Sequence, residues 1–322
     1  MRYVLGIDIG GTNLVVGAVR DDGASVIGLH SELTGASHGA DRVIERIIGM
    51  ATRAIADTRA ADPEAEVVGV GIGSPGPLDT KAGIVILTPN LGWVNMPLRD
   101  RIADRLGLPG SLDNDANCAM AGEWWVGAAR GARHAITVTL GTGIGGGIIV
   151  DGKLLHGTSD VAGEVGHITI ETNGRRCGCG NDGCLEAYAS GPAIARRTLE
   201  SIEAGAESAI ALAVQGDLGR ITAQTVYEAA AAGDALALEV VQETAKYLGV
   251  GVANLINLLN PEVVVICGGV TQAGDRLFVP LKREVTRRAF RPAVRACRIV
   301  PGLLPGTAGV VGAAKVFLDA QA

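Results

Sequence analysis

The chain has 322 residues, of which 48% are hydrophobic and only 3% aromatic, and it carries a formal net charge of -6 at pH 7. This acidic balance, with no run of Lys or Arg, argues against nucleic acid as a main partner. No apolar run approaches the ~20 residues that a membrane span needs, and no secretory signal is evident at the N-terminus. We therefore expect a soluble, cytoplasmic protein with two α/β domains, or one large α/β unit with a deep cleft.

The chain is predicted to begin with a β-hairpin. Residues 3–9 predict a buried strand, residues 14–20 its partner, and Gly10-Gly11-Thr12-Asn13 the turn between them. Two glycines allow backbone N–H groups to approach an anion closely, and Thr12 and Asn13 add side-chain donors. Asp8, at the end of the strand, would hold Mg²⁺ directly or through water. Glycine is common in hairpin turns, so this turn alone does not establish phosphate binding.

The next segments predict a helix over 41–59, a strand over 66–73, a Gly/Pro-rich loop and a helix over 96–106. Another strand then ends at Asp113-Asn114-Asp115, and a helix containing two tryptophans follows directly. Near the N-terminus of that helix a carboxylate stays ionised, and it can accept the proton of a sugar hydroxyl that attacks phosphorus. We assign Asp115 as this base, with Asn114 contacting the substrate and Asp113 as support. The alternative is that one of the two acids only caps the helix.

A second hairpin of the same kind is predicted near residue 143. A strand over 134–140 leads into the glycine-rich turn 141–147, which includes Thr142 and Gly143, and a strand over 148–150 returns. The repeat predicts a duplicated α/β domain whose two turns hold one polyphosphate. Neither turn fits a Walker or a Rossmann pattern.

The last third of the chain is predicted to be mainly helical. Residues 190–260 are predicted to be mostly helical, up to the stop at Asn260-Pro261. A strand over 263–267, the turn Gly268-Gly269 and a helix over 276–289 follow. A final helix over 307–319 is expected to pack on the N-terminal half.

Segment 167–186 predicts a metal site. His167, Cys177, Cys179 and Cys184 form a Cys₃His set that completes a tetrahedral Zn²⁺ shell and leaves no position for a reacting water, so we expect a structural zinc. The alternatives are buried cysteines or disulfides, which the spacing and the expected compartment disfavour. Glu164 and Glu186 flank the segment and suggest a surface that recognises hydroxyl groups. The second ring nitrogen of His167 would face a substrate hydroxyl or a backbone carbonyl.

The Cys-Gly-Cys-Gly-x-x-Gly-Cys-Leu-Glu run, with Gly-Glu-x-Gly-His upstream and Asp-Asn-Asp-Ala-Asn before it, resembles the ROK family of sugar kinases and related repressors. The resemblance extends from Asp8 to the Gly-Thr-Ala-Gly-Val run at 306–310. Within the family the chain is most similar to the bacterial glucokinases, whose sugar-side loops resemble residues 71–77 and 88–93.

The resemblance implies a duplicated actin-like ATPase (ribonuclease H-like) α/β fold with a cleft between two lobes. Residues 1–115 would form the small lobe, with 306–322 packing back on it, and residues 116–305 the larger lobe with the zinc loop. It also implies that Asp115 is the base. Hexose contacts would be Gly76, Asn90, Asn114, Asp115, Glu164, His167 and Glu186. ATP contacts would be Asp8, Gly10, Gly11, Thr12, Asn13, Thr142, Gly143, Gly268 and Gly269.

The implied activity is transfer of the γ-phosphoryl group of MgATP to the 6-hydroxyl of glucose, in a homodimer or homotetramer. Mannose, fructose, N-acetylmannosamine or N-acetylglucosamine as acceptor, and polyphosphate as donor, remain open. A sugar-sensing repressor would need a DNA-binding segment ahead of Asp8, for which we see no room. An actin-like or chaperone-like ATPase that does not bind sugar is disfavoured by the zinc loop and its flanking acids.

Overall fold

A computed structural model of the chain describes residues 1–88 and 90–321. Pro89, in one of the predicted sugar-side loops, and Ala322, at the end of the predicted last segment, lie outside the described residues. The chain forms two compact units. The first comprises Met1–Thr137, Gly147–Gly163 and Gly302–Ala322, and the second comprises Val138–Gly146 and Glu164–Pro301.

Strands and helices follow one another through the first 125 residues in the order β1 (Arg2–Ile9), β2 (Asn13–Arg20), β3 (Val26–Leu33), α1 (Ala40–Ala61), β4 (Glu66–Ser74), β5 (Leu78–Asp79), β6 (Ile84–Thr88), β7 (Trp93–Met96), α2 (Leu98–Leu106), β8 (Gly110–Asn114) and α3 (Asp115–Trp125). The remaining elements are β9 (Ala135–Leu140), β10 (Ile144–Val150), β11 (Lys153–Leu154), α4 (Glu186–Ala189), α5 (Gly191–Glu203), α6 (Ile210–Ala213), α7 (Ala223–Ala231), α8 (Ala235–Leu259), β12 (Val263–Cys267), α9 (Asp275–Arg288), α10 (Arg291–Ala296), β13 (Arg298–Pro301) and α11 (Ala308–Ala320).

Two five-stranded sheets have the same topology. Their strand orders are β3-β2-β1-β4-β8 and β11-β10-β9-β12-β13, so each sheet follows the order third, second, first, fourth and fifth strand. In the first sheet β1 pairs antiparallel with β2 and parallel with β4, which in turn pairs parallel with β8. In the second sheet β10 pairs antiparallel with β11, and β12 pairs parallel with β13. The repeated order confirms the predicted duplication of an α/β unit.

The apolar core of the first unit joins β1, β2 and β4 to α1 and α2, and includes Leu5, Ile7, Ile47, Ile102 and Trp93. These side chains are almost all aliphatic, as the low aromatic content predicts. Burying apolar surface of this kind contributes roughly 25 cal/mol per Å², and it is the main term that stabilises the unit. Among the described residues, no helix has both the length and the apolar composition that crossing a membrane requires.

Glycines allow α11 to lie directly between the first sheet and α3. A Cβ atom added at Gly71 on β4 would lie 1.9 Å from the carbonyl oxygen of Ala313. A Cβ added at Gly312 would lie 1.5 Å from the carbonyl oxygen of Cys118 on α3. The division of the chain into two compact units differs from the predicted lobe boundaries at 115/116 and 305/306. The helix α3 and residues up to Thr137, together with Gly147–Gly163, belong to the first unit.

A buried carboxylate also holds the returning chain in the first unit. Glu123 on α3 is 0% exposed, and its oxygens accept hydrogen bonds from the backbone N–H groups of Ala128, Leu303 and Leu304 at 2.7, 3.1 and 2.9 Å. A buried carboxylate is tolerated when several donors satisfy it. Glu123 thus fixes the segment that leads into α11.

The sequence pattern missed the short and edge strands β3, β5–β7, β11 and β13, which lack a long apolar run. It also placed the start of the second returning strand at residue 148, whereas β10 begins at Ile144. Because glycine favours turns, the run Gly145–Gly147 by itself predicts a turn. In the structure a Cβ at Gly147 would lie 2.3 Å from the Cβ of Met120, so this glycine permits close packing against α3.

Replacing Gly312 by Ala should destabilise the first unit, because the added methyl group collides with the backbone of α3. Overpacking of this kind costs about 1–3 kcal/mol or more. Gly49→Ala is the matched control: Gly49 also lies within a helix, a Cβ there would meet nothing within 4 Å, and glycine-to-alanine in an exposed helix stabilises by ~0.5–1 kcal/mol. Urea unfolding measures both changes, and equal effects of the two substitutions would contradict the packing described.

Candidate active site

Three neighbouring parallel strands end in one row at the edge of the first sheet. Asp8 on β1 is in register with Gly73 on β4, and Gly73 is in register with Asp113 on β8. Asp115 follows two residues after Asp113 and is the first residue of α3. The carboxyl ends of parallel strands are where α/β sheets bind ligands. The structure therefore brings the predicted base and the predicted magnesium-binding residue to the same edge.

The N-cap of α3 is Asn114, not either aspartate. Its side-chain oxygen accepts hydrogen bonds from the backbone N–H groups of Ala116 and Asn117 at 2.9 and 3.3 Å. The alternative interpretation of Asp113 or Asp115 as the N-cap is therefore wrong. Asn114 uses its oxygen for the cap, which leaves its amide nitrogen as the group to donate to a ligand. Asp115 Oδ1 accepts from the N–H group of Ala116 at 2.8 Å, which orients its carboxylate.

Negative charge is concentrated at this edge. Burial, and then the charge of Asp115, raise the pKa of Asp8 to about 7. A Cβ atom added at Gly309, on α11, would lie 2.3 Å from Asp8 Oδ2, so the helix backbone packs directly against this carboxylate. A nearby cation favours the ionised form of a buried carboxylate. The pair is therefore suited to an environment that contains a metal ion and phosphates.

The first glycine turn is held by contacts that the sequence did not indicate. Within the turn, the N–H group of Gly10 donates to the carbonyl of Asn13 at 2.9 Å. Thr34, which is 0% exposed, donates its hydroxyl to the carbonyl of Gly10 at 2.7 Å and its N–H to the carbonyl of Thr12 at 2.8 Å. Arg46 on α1 donates in turn to the carbonyl of Thr34 at 2.9 Å. The exposed turn is thus anchored from behind by α1.

The predicted sugar-side loops of the first unit contain Gly76 and Asn90. Gly76 has φ +96°, and a Cβ there would lie 2.2 Å from the carbonyl oxygen of Leu87, so only glycine permits this approach of the two loops. Asn90 is exposed. Its amide nitrogen lies 3.9 Å from the position of a Cβ built on Gly11, which places it beside the first glycine turn.

The second unit contains the second glycine turn. The N–H group of Gly141 donates to the carbonyl of Gly143 at 2.9 Å, so this turn is also closed by a backbone hydrogen bond. Gly268 has φ +105°, and a Cβ there would lie 2.0 Å from the carbonyl oxygen of Leu140. The predicted adenosine turn Gly268-Gly269 therefore lies beside the predicted phosphate turn that contains Thr142.

Glu186 contacts the same turn. Its Oε2 accepts a hydrogen bond from the N–H group of Ile144 at 2.8 Å, and the same oxygen lies 2.6 Å from the position of a Cβ on Gly143. The residue was predicted as a hexose contact. In the structure one of its carboxylate oxygens orders the second glycine turn.

The four predicted zinc ligands lie together in the second unit. One ligand atom from each of His167, Cys177, Cys179 and Cys184 lies within 4.8 Å of all the others. The Sγ atoms of Cys179 and Cys184 are 3.7 Å apart, as are Cys177 Sγ and His167 Nδ1. Tetrahedral zinc with ordinary bond lengths needs ligand atoms about 3.6–3.8 Å apart. The donor set therefore fits zinc both in chemistry and in spacing.

The two ring nitrogens of His167 face different groups. Nδ1 faces the thiol of Cys177, whereas Nε2 lies 3.9 Å from Glu164 Oε2. The second nitrogen, which was expected to face a substrate hydroxyl or a backbone carbonyl, thus lies near a carboxylate here. Its contact with a substrate hydroxyl stays a prediction. Glu164 is exposed and precedes the 3₁₀ turn Val165–His167. The cluster thus fixes the position of an imidazole and an adjacent exposed carboxylate.

Comparison with known proteins identifies the family of the chain. A sequence model of the ROK family matches residues 4–320. The chain is 38% identical to a glucokinase of Halalkalibacterium halodurans over 97% of this chain and 93% of that protein, and 39% identical to a glucokinase of Thermotoga maritima over 98% and 97%. A crystal structure of a ROK family glucokinase from Streptomyces griseus, in complex with glucose and AMPPNP, superposes with a TM-score of 0.85 at 36% identity, covering 98% of both chains. The chain therefore belongs to the ROK family, and its fold is the one shared by ROK sugar kinases.

Proposed function

We propose that the protein is an ATP-dependent hexose kinase that phosphorylates the 6-hydroxyl of glucose. The observation that carries this proposal is the position of Asp115, at the N-terminus of α3 and at the same sheet edge as Asp8. It is supported by the full-length similarity to glucokinases and to a glucokinase structure that contains glucose and AMPPNP.

In this proposal Asp115 accepts the proton of the attacking hydroxyl, and the amide of Asn114 holds the sugar in place. Gly76, Asn90, Glu164, His167 and Glu186 bind the other hydroxyl groups of the hexose. Phosphoryl transfer depends mainly on positioning and on neutralising phosphate charge.

The two glycine turns would help to neutralise the charge of the phosphates. Gly11, Thr12 and Asn13 in the first turn, and Thr142 and Gly143 in the second, would offer backbone and side-chain donors to the phosphates. Gly10 closes the first turn through its own N–H group, and Gly268 and Gly269 would lie next to the nucleoside. Asp8 would hold Mg²⁺, which neutralises phosphate charge when it is bound.

We further propose that His167, Cys177, Cys179 and Cys184 bind a structural Zn²⁺. Three thiols and an imidazole leave no site for a substrate water, so the ion would stabilise the segment and take no part in the reaction. The segment between the ligands is rich in glycine and polar residues, and burial alone contributes little to its stability.

Replacing Asp115 by Asn should lower kcat by about 10²–10⁴-fold, the usual contribution of a general base. MgATP binding should remain close to wild type, because the substitution retains the size of the side chain. A coupled assay of hexose phosphorylation and calorimetric titration with MgATP measure the two effects. Asp100→Asn, an exposed acid in the first turn of α2, is the matched control, and near-normal turnover of Asp115→Asn would remove this residue as the base.

The same coupled assay tests the substrate. We expect glucose with MgATP to give a higher kcat/KM than mannose, fructose, N-acetylmannosamine or N-acetylglucosamine, and a higher value than polyphosphate as donor. If another hexose gave a higher kcat/KM than glucose, it would replace glucose as the acceptor. If polyphosphate gave a higher kcat/KM than MgATP, it would replace MgATP as the donor.

Purified protein should contain close to one zinc per chain by elemental analysis. Cys179→Ser should lose the metal and lower the melting temperature, because metal-binding free energy contributes directly to the folding of such segments. Cys297→Ser is the control, since this partly exposed cysteine lies in the second unit but outside the cluster. Metal-free protein with an unchanged melting temperature would rule out a structural zinc.

A further inference from the structure

A histidine outside the proposed site residues contacts the strand that leads to the base. His156, just after β11, lies with its Nε2 2.7 Å from Asp113 Oδ2. Both residues belong to the first unit. The two are separated by 43 positions in the chain, so no local pattern indicates this contact.

Asp113 is a buried charge whose two oxygens are both used. Its side chain is 3% exposed. Oδ1 accepts hydrogen bonds from the N–H group of Asn114 at 2.7 Å and from the side-chain nitrogen of Asn117 at 2.9 Å. Among the described residues, His156 is the side chain within ion-pair distance of this carboxylate that can carry a positive charge when it is protonated. A buried carboxylate that loses such a partner becomes strongly destabilising.

The contacts of Asp113 are the ones that shape the start of α3. Through Asn114 and Asn117 the carboxylate holds the N-cap and the first turn of the helix, and Asp115 lies between these two residues. A small displacement of a reacting group is costly, because about 1 Å of misplacement lowers the rate by ~10²-fold. Any group that fixes Asp113 therefore also fixes the direction of the proposed base.

Charge repulsion adds to the need for a partner. Burial first, and then the charges of Asp113, Asp8 and Asp115, raise the pKa of the Cys118 thiol, so all three carboxylates act electrostatically on one buried side chain. The charged groups that face the His156 ring are Asp113 on β8 and Asp160 on the loop that follows β11. An imidazolium at this position offsets part of the negative charge behind the base.

We propose that His156 is a positioning residue for phosphoryl transfer, which acts through Asp113 to hold the first turn of α3 and thereby the carboxylate of Asp115. This inference rests on the proposed kinase function. The hydrogen bond to Asp113 is the contact through which it acts, and His156 itself need not touch substrate.

The test uses two variants of His156: His156→Phe removes the hydrogen-bond donor, and His156→Gln keeps a donor but carries no charge. They are compared with Asp113→Asn and with the double variant His156→Phe/Asp113→Asn. We expect kcat of His156→Phe to fall by about 10²-fold, with partial recovery in His156→Gln and with KM for MgATP within about twofold of wild type. The double variant should be no slower than Asp113→Asn, because groups that act as a unit are non-additive. His30→Gln is the control, since His30 pairs with Asp57 at 2.8 Å on the surface of the same unit.

Each other outcome overturns the proposal. An unchanged kcat with a lowered melting temperature would make His156 a structural residue only. Losses that multiply in the double variant would show that His156 does not act through Asp113. Wild-type protein that phosphorylates no hexose would overturn the kinase function, and with it this role. If His156→Phe does not fold, the pair His156→Gln and Asp113→Asn gives the same comparison.

The ion pair also predicts how stability depends on pH. The hydrogen bond to Asp113 is the largest cause that raises the pKa of His156 above its ordinary value of 6.5. Folded protein thus holds this proton more tightly than unfolded protein does. The stabilisation is complete below about pH 6.5 and is lost as pH rises through the folded pKa. The difference in urea midpoint between wild type and His156→Gln should therefore shrink as pH rises above 6.5, and a constant difference would show that the pair is not ionic.

Discussion

The parallel pairing of β1, β4 and β8 places Asp8, Gly73 and Asp113 in one row at the ends of three neighbouring strands. Because successive side chains of a strand alternate between faces, a slip of one residue in either pair would turn one of these carboxylates to the opposite face of the sheet. Gly73 is the central member, and a Cβ there would lie 3.5 Å from the Cα of Asp115. The pairing of the strands therefore determines where the proposed base lies.

This arrangement depends on close backbone packing. The helix α11 approaches both the sheet and α3 through glycines, and Gly309 brings its backbone against the carboxylate of Asp8. The helix thus removes water from one side of the acidic edge, which is why burial raises the pKa of Asp8. The same contacts place α3 in the first unit with the strands whose ends it follows.

The acidic edge is stabilised in two different ways. The charges of Asp8 and Asp115 repel each other, and in the proposed function a bound metal ion would offset this repulsion. Asp113 instead has permanent protein partners, namely His156 and the amides at the start of α3. The paired carboxylate of Asp113 thereby holds the start of α3, where Asp115 lies. In the second unit, Glu186 also has a protein partner, since one of its oxygens accepts a hydrogen bond from the second glycine turn.

The contiguous motifs could be predicted from sequence, because residues close in the chain must also be close in space. The two glycine hairpins, the strand that ends within Asp113-Asn114-Asp115 and the Cys₃His cluster are of this kind, and the structure confirms each of these arrangements. The predicted duplication of the α/β unit is confirmed by the repeated strand order. The presence of zinc and the roles of the site residues remain predictions. The edge strands and the start of β10 were missed because short or interrupted apolar runs and glycine runs resemble loops until a neighbouring strand pairs with them.

Sequence by itself also failed to identify the cap of α3, because only the two acids Asp113 and Asp115 were considered for it. The tertiary structure decided that Asn114 is the cap, that α3 belongs with the first sheet, and that His156 and Thr34 support Asp113 and the first glycine turn. These contacts join residues 24 and 43 positions apart. Their formation depends on the path of the chain through the whole unit, which local residue patterns do not encode.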